Sequence, residues 1–202
     1  MSQSYLKIRN DYLKIAWNRS TAVLSVCLPA ELAAPGLRFQ AFGEECLLTE
    51  AEITLAGAAA EGPEGLLIAL YASLVPDLPV QLNSLKSFKG LPDSMPYQGA
   101  FAANAEQILV PQVAGIHRQQ ERLAAAFSGR LNVDPPSGDF SFTLYPLPRL
   151  PLYYIFHLPD EEFPASVTCL FAANALDFMP LDGLADVAEY TGKKMMALLA
   201  GR

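Results

Sequence analysis

The last third of the chain, residues 139–199, constrains the fold most because its apolar pattern changes from the period of a strand to that of a helix. Residues 140–145 alternate apolar and polar side chains, as a half-buried β-strand does. Short apolar runs follow at 152–158 and 167–171, and residues 181–199 carry apolar side chains at helical spacing. The connections between the strands are too short for a parallel crossover. This segment therefore predicts an antiparallel sheet followed by a closing helix.

The first two thirds of the chain carry shorter patterns of both kinds. Residues 4–17 predict a helix with one apolar stripe, formed by Tyr5, Ile8, Tyr12 and Ile15. Residues 37–55 alternate around an acidic turn, which indicates a β-hairpin. A helix is predicted over residues 64–75, and a long one over residues 97–127, which Pro111 should kink or split because it lacks a backbone N–H.

Together these patterns predict an α+β fold. A small antiparallel sheet, with strands near 37–55, 139–158 and 166–171, packs against the long kinked helix and the C-terminal helix. A chain of 202 residues that is 51% hydrophobic is large enough for one domain with a sizeable core. We expect a single domain over 1–202, with residues 1–20 as a candidate helical extension, and a linker at 132–138.

Charge and composition limit the partners and the compartment. Fourteen basic against 21 acidic side chains give a net charge of −7, which repels a phosphate backbone, so nucleic acid is not an expected partner. The N-terminus lacks the apolar core of a secretory signal, and no apolar stretch is long enough for a bilayer. We expect a cytoplasmic protein without membrane contact, and the high apolar fraction makes a homo-oligomer plausible.

The cysteines and histidines form no recognisable metal motif. Cys27, Cys46 and Cys169 are odd in number and far apart, which fits neither a disulfide framework nor a metal-binding knuckle. His117 and His157 have no partner at motif spacing. We expect reduced thiols, with Cys169 as a small core residue, and neither a tightly bound transition metal nor a cofactor.

The second half of the chain carries a series of short motifs, namely Leu150-Pro151-Leu152 with Tyr154, Asp160-Glu161-Glu162-Phe163-Pro164-Ala165-Ser166, Leu170-Phe171, Phe178-Met179-Pro180-Leu181 and Leu184-Ala185-Asp186-Val187. Upstream of them lies Ser87-Phe88-Lys89-Gly90-Leu91-Pro92, followed by Tyr97 and Phe101. These motifs resemble the bacterial domain-of-unknown-function family 3786. The resemblance leaves the first forty residues unassigned.

The resemblance implies a relative rather than a reaction, because the family has no established activity. Many members have an Asp directly after the Leu-Phe motif, where this chain has Ala172, so the resemblance implies no catalytic acid there. Some members carry an additional four-cysteine iron–sulfur module. This chain has no Cys-x-x-Cys, which argues against an intrinsic cluster.

Two charged features are candidate ligand-binding groups. Arg149 is the one basic residue in a proline-rich apolar run, residues 146–151, which we expect to be an exposed crossing or a sheet edge because prolines cannot donate ladder bonds. Its guanidinium could clamp a carboxylate or phosphate, but we expect it to pair with the acidic turn Asp160-Glu161-Glu162. That turn could gather a cation or perform acid/base chemistry. We favour a solvated turn, with the neighbouring Phe163 packed onto the core.

His157 and Tyr190 complete the candidate ligand-binding set of Arg149, His157, Asp160, Glu161, Glu162 and Tyr190, and no residue is assigned a catalytic role. The favoured hypothesis is a domain that binds a small ligand or a protein partner, because apolar surface is plentiful and no catalytic motif is present. The alternative is an enzyme or cofactor-handling protein whose site forms from distant residues around Arg149 and the turn. In the setting that the resemblance suggests, it would be accessory to an iron–sulfur or corrinoid system.

Overall fold

The computed structural model describes residues 3–133 and 137–201 and confirms the α+β class, with two antiparallel sheets where the sequence predicted one. The first sheet is formed by β1 Glu31–Ala33, β2 Gly36–Ala41, β3 Glu44–Leu48, β4 Ile53–Leu55 and β5 Ala58–Ala59. The second sheet is formed by β6 Lys86–Ser87, β7 Arg130–Leu131, β8 Phe140–Leu147, β9 Leu150–His157 and β10 Ser166–Phe171. Part of the predicted linker at 132–138 lies outside the described residues.

The second sheet has the strand order β6-β10-β9-β8-β7, with every neighbouring pair antiparallel. Strands β9 and β10 pair in register from His157 opposite Ser166 to Leu152 opposite Phe171. The antiparallel pairing predicted for residues 139–158 and 167–171 is therefore confirmed. Cys169 is fully buried in β10, as expected of a core residue.

The proline-rich run at 146–151 forms the buried hairpin between β8 and β9, so the predicted exposed crossing is wrong. The register between these strands shifts between Leu144 and Leu147, which is a β-bulge. Pro146 lies within that bulge, where the ladder has no bond for it to complete, and its carbonyl instead accepts the N–H of Phe42 at 2.6 Å. This hydrogen bond joins the second sheet to the residue that follows β2 of the first sheet.

The first sheet is a simple meander, β1-β2-β3-β4-β5. Its β2–β3 turn consists of Phe42 and Gly43, which both have positive φ, at 50° and 77°. The acidic residues Glu44 and Glu45, which the sequence placed in the turn, are the first residues of β3.

Helices cover and connect the two sheets. They are α1 Gln3–Trp17, α2 Thr21–Cys27, α3 Pro63–Leu74, α4 Gln98–Phe101, α5 Val113–Arg118, α6 Gln120–Ala126 and α7 Leu181–Leu199. The long predicted helix over 97–127 is split into α4, a π-helical turn at 102–106, a 3₁₀ segment at 107–112 that contains Pro111, and then α5 and α6. Helix α7 matches its predicted bounds, and its Lys193 Nζ donates to Glu189 Oε1 at 2.6 Å.

Helix α1 forms as predicted but buries a different face. It packs against α3 through Leu13 and Ala16, which are buried. The predicted stripe instead faces largely outward, with Tyr5, Ile8 and Ile15 all more than two fifths exposed. The spacing of apolar residues predicts the helix, but on a helix with two apolar faces it does not identify the buried one.

The core under the second sheet is rich in aromatic rings. Phe88 and Phe101 stack with their centroids 4.1 Å apart, and both pack against Phe171 of β10. Phe142 and Phe156, whose ring centroids lie 4.9 Å apart, belong to a second group of ring contacts across β8 and β9. Among the described residues, no helix combines the length and the apolar character needed to cross a membrane.

Candidate functional site

The candidate residues lie in three separate places. Arg149 occupies the β8–β9 loop at one end of β9, and Asp160 follows the other end of the same strand. Eight residues of extended chain separate these ends by roughly 25 Å. Tyr190 lies on α7, where the Nζ of Lys193 sits 4.6 Å from the centre of its ring.

Arg149 joins three segments of the chain. Its Nη1 donates to Asp77 Oδ1 at 2.9 Å and to the carbonyl of Leu78 at 3.1 Å, and its Nη2 donates to the carbonyl of Val26 at 3.0 Å. The predicted pairing with the acidic turn is therefore wrong, and Asp77 is the ion-pair partner. The residue has a left-handed φ of 58°, which the tight loop imposes.

A surface cavity of about 320 Å³ lies between β2 of the first sheet and the β8–β9 hairpin of the second, with Arg149 among its lining residues. We call it the Arg149 crevice, and it is lined by Pro29, Phe39, Gln40, Ser128, Tyr145, Pro148 and Arg149. Four further cavities among the described residues differ in charge, because each has at least one Asp or Glu in its lining.

The crevice combines an apolar wall with unpaired polar groups. Phe39 and Pro148 supply apolar surface, while the side chains of Gln40, Ser128 and Tyr145 make no hydrogen bond to any residue within 3–133 or 137–201. An apolar wall with a few convergent polar groups is the usual make-up of a small-molecule site.

Sequence reasoning identified Arg149 but missed the other lining residues. They come from four distant stretches of chain that only the meeting of the two sheets brings together. The one sequence feature that could have pointed to this crevice was Tyr145, a large side chain on the polar face of the first predicted strand.

The acidic turn is solvated, as predicted, and is organised by Asp160. Its Oδ1 accepts the backbone N–H groups of Glu162 at 2.8 Å and Phe163 at 2.7 Å, and these bonds, that of Phe163 first, lower the pKa of the carboxyl. Glu161 and Glu162 are exposed. Phe163 is 66% exposed, so the predicted packing of its ring onto the core is wrong.

A groove of about 470 Å³ runs beside this turn. We call it the His157 groove, and it is lined by Asp139, His157, Leu158, Asp160, Phe163, Pro164 and Ser166. His157 and Ser166 face each other across β9 and β10, but no hydrogen bond joins their side chains in the described structure. The carboxylate of Asp139 accepts the N–H of Leu158 at 2.7 Å. The groove thus holds Ser, His and Asp side chains without the hydrogen-bonded order that activates a nucleophile.

A buried polar cluster escaped the sequence analysis. Glu106, at the end of the π-helical turn, accepts the backbone N–H of Cys169 at 2.9 Å. Burial raises the pKa of this carboxyl, and burial also raises those of Cys169 and Tyr154 nearby. The bond satisfies an N–H on the edge of β10 that the two-residue β6 does not reach, so we interpret Glu106 as a structural cap of the sheet.

The histidines and cysteines are placed apart. His117 is exposed on α5, with its ring 4.6 Å from that of Phe140. Within residues 3–133 and 137–201, no three His, Cys, Asp or Glu side chains are grouped closely enough to hold a metal ion.

Comparison with known proteins places the chain by family and not by activity. The family model described as a domain of unknown function, DUF3786, matches residues 24–194. No curated protein and no solved structure matches the chain.

Proposed function

We propose that this chain, which belongs to the DUF3786 family of domains of unknown function, is a cytoplasmic small-ligand-binding protein whose ligand occupies the Arg149 crevice. The observation that carries the proposal is the crevice itself. It has the size of a small-molecule site, an apolar wall and polar side chains without partners in the described structure.

The rigidity of the crevice wall supports this proposal. Arg149 is held by three hydrogen bonds, and its side chain is only 22% exposed. Phe39 is fixed within β2, and Tyr145 within β8. A site whose groups are held in place before binding loses less conformational entropy when the ligand arrives.

An enzyme remains the alternative, and the His157 groove is the place that favours it. His157 and Ser166 lie opposite each other there, and two aspartates line the same groove. A substrate would have to bring the imidazole and the hydroxyl into hydrogen-bond contact, because both are exposed. Arg149 lies at the far end of β9 and would not take part.

Binding of a protein partner is the second candidate, and the exposed ring of Phe163 favours it. A rigid turn holds this aromatic side chain in water next to a groove, where burial against a partner would be favourable. The ring and the crevice are far enough apart for both kinds of binding to coexist.

A fragment screen by ligand-observed NMR tests the proposal. We expect small aromatic fragments to bind the wild-type protein and to lose binding in Gln40→Trp, which fills the crevice from an exposed position of β2. Phe163→Ala is the matched control, since it alters the His157 groove and should leave these fragments bound. An absence of hits, or hits that survive Gln40→Trp, would overturn the proposal.

A further inference from the structure

A second cavity, larger than the Arg149 crevice, lies at the opposite end of β2. Its volume is about 710 Å³, which is within the range of small-molecule sites. Its walls are Trp17 at the end of α1, Thr21 at the start of α2, the β1–β2 hairpin at 32–36 and the β3–β4 turn at 49–52. We call it the Trp17 cavity, and it shares no lining residue with the Arg149 crevice.

The ring of Trp17 is fixed next to two glutamates. Its Nε1 donates to the carbonyl of Thr49 at 2.8 Å, and Thr49 directly precedes Glu50 in the β3–β4 turn. The hydroxyl of Thr49 closes this turn, because it accepts the N–H groups of Ala51 at 3.2 Å and Glu52 at 2.9 Å. The hydrogen bond to Thr49 therefore holds the indole within side-chain reach of both Glu50 and Glu52.

The two carboxylates are uncompensated. Glu50 and Glu52 are exposed, and neither side chain makes a hydrogen bond or an ion pair with any residue within 3–133 or 137–201. No Lys or Arg is among the described lining residues of the cavity. A cation is attracted both by carboxylates and by the face of an indole ring. The charge and the ring of this cavity therefore favour the same kind of ligand.

Another wall of the cavity is apolar and open to solvent. Leu32 is 70% exposed, and Pro35 in the same hairpin is exposed as well. The alkyl groups of a ligand could cover this wall, and burial of apolar surface is favourable. Among the described residues, no His, Cys, Asp and Glu side chains are grouped as a metal ion requires. The cavity thus suits an organic cation better than a bare metal ion.

We propose that the Trp17 cavity is a second binding site, which takes a small organic cation. The ammonium group lies between the indole of Trp17 and the carboxylates of Glu50 and Glu52, and the alkyl part lies against Leu32. The tryptophan, rather than the acidic residues by themselves, distinguishes this cavity, because indole binds cations best of the aromatic rings and the chain has only one. This inference goes beyond the proposed function and does not rest on it.

Three probes of one shape test the charge preference, namely choline, its uncharged isostere 3,3-dimethylbutan-1-ol and the anion 3,3-dimethylbutanoate. Trp17 is the single tryptophan of the chain, so its fluorescence reports on this cavity directly. We expect choline to bind the wild-type protein about tenfold more tightly than the alcohol, a difference of about 1.4 kcal/mol, and the anion to bind most weakly. Equal affinities for choline and the alcohol, or no binding of choline by fluorescence and calorimetry, would overturn the assignment.

A pair of double variants locates the charge effect. Glu50→Gln combined with Glu52→Gln changes exposed side chains without partners in the described structure, so the protein should stay folded while choline affinity falls about tenfold, to that of the alcohol. Glu161→Gln combined with Glu162→Gln is the matched control, because it changes the net charge equally at the acidic turn and should leave choline affinity as it is. Equal losses in the two double variants would refute a site at Trp17.

Two further variants test the walls. Leu32→Ser removes apolar contact and no charge, so it should weaken choline and the alcohol alike, by about threefold. Trp17→Phe keeps a ring that attracts cations less, so calorimetry should show a reduced preference for choline over the alcohol. Choline affinity that is unchanged in either variant would contradict the proposed position of the ligand. The glutamate variants decide the proposal even if Trp17→Phe does not fold.

The outcomes keep the two sites apart. Choline binding at Trp17 without any fragment in the Arg149 crevice would refute the proposed function and leave this inference standing. Fragments in the Arg149 crevice without choline binding would refute this inference alone.

Discussion

Phe163 and Phe171 show how far the surroundings of one residue type differ within eight positions. Phe171 is fully buried against Phe88 and Phe101, whereas Phe163 is 66% exposed beside the acidic turn. The period-two pattern of β10 predicted the burial of Phe171. No pattern covers a single aromatic in a turn, and the backbone bonds to Asp160 that hold Phe163 outward are visible only in three dimensions.

The two phenylalanines make a matched pair of variants. Phe171→Ala should lower the free energy of unfolding by about 3–5 kcal/mol, because it leaves a cavity in an aromatic cluster. Phe163→Ala should change it by less than about 0.5 kcal/mol, as an exposed substitution does. Urea denaturation of both variants provides the measurement, and similar losses for the two would mean that the burial described for β10 is wrong.

The sequence alone could have excluded the acidic turn as the ion-pair partner of Arg149. Once residues 152–158 are taken as a strand, Arg149 and Asp160 must lie at its opposite ends, roughly 25 Å apart. Asp77, the actual partner, follows α3 and is 72 residues away in sequence. A long-range ion pair of this kind depends on how the segment after α3 packs against the β8–β9 hairpin, and local patterns carry no information about it.

At the scale of elements, a regular apolar period predicted helices and strands well, but the sequence did not predict where these elements are interrupted. Helix α7 and strand β10 follow their apolar spacing, whereas the half-buried strand predicted at 140–145 is wrong, because Ser141 and Thr143 on its polar face are buried as well. The π-helical turn at 102–106 and the bulge at Pro146 have no sequence period, yet they place Glu106 against β10 and tie the hairpin to the first sheet. These irregular elements determine the tertiary contacts that sequence patterns missed.

The cap on the edge of β10 gives a prediction at this scale. Glu106→Ala leaves the N–H of Cys169 without its acceptor and should cost about 1–3 kcal/mol in the free energy of unfolding. Glu106→Gln keeps an acceptor oxygen and should cost less than about 1 kcal/mol. Equal losses for the two variants, measured by urea denaturation, would show that this hydrogen bond does not stabilise the sheet.

The wild-type protein and Glu106→Gln should also differ in how their free energy of unfolding depends on pH. Burial raises the pKa of Glu106, so the folded protein holds this proton more tightly than the unfolded chain does. The contribution to stability is then complete below the ordinary pKa of a glutamate and declines as the pH rises to the raised value. Glu106→Gln should lack this decline in a pH series of unfolding curves, and an identical decline in wild type and variant would assign it to another group.

At the scale of the whole molecule, the account depends on the junction of two sheets. The sequence predicted one sheet, because local patterns identify individual strands but do not show which strands pair with each other. The separation into two sheets creates the seam where β2 meets β8, and the Arg149 crevice lies on that seam. A site made by such a junction could not be predicted from motifs, and only Arg149 was identified beforehand.

The most direct test of ligand binding at this seam is a map of backbone amide shifts during titration with the fragment that binds most tightly. The account predicts that the largest changes cluster at residues 39–40, 128, 145 and 149, with little change at 157–166. Changes centred on the His157 groove, or spread over the surface without a centre, would contradict it.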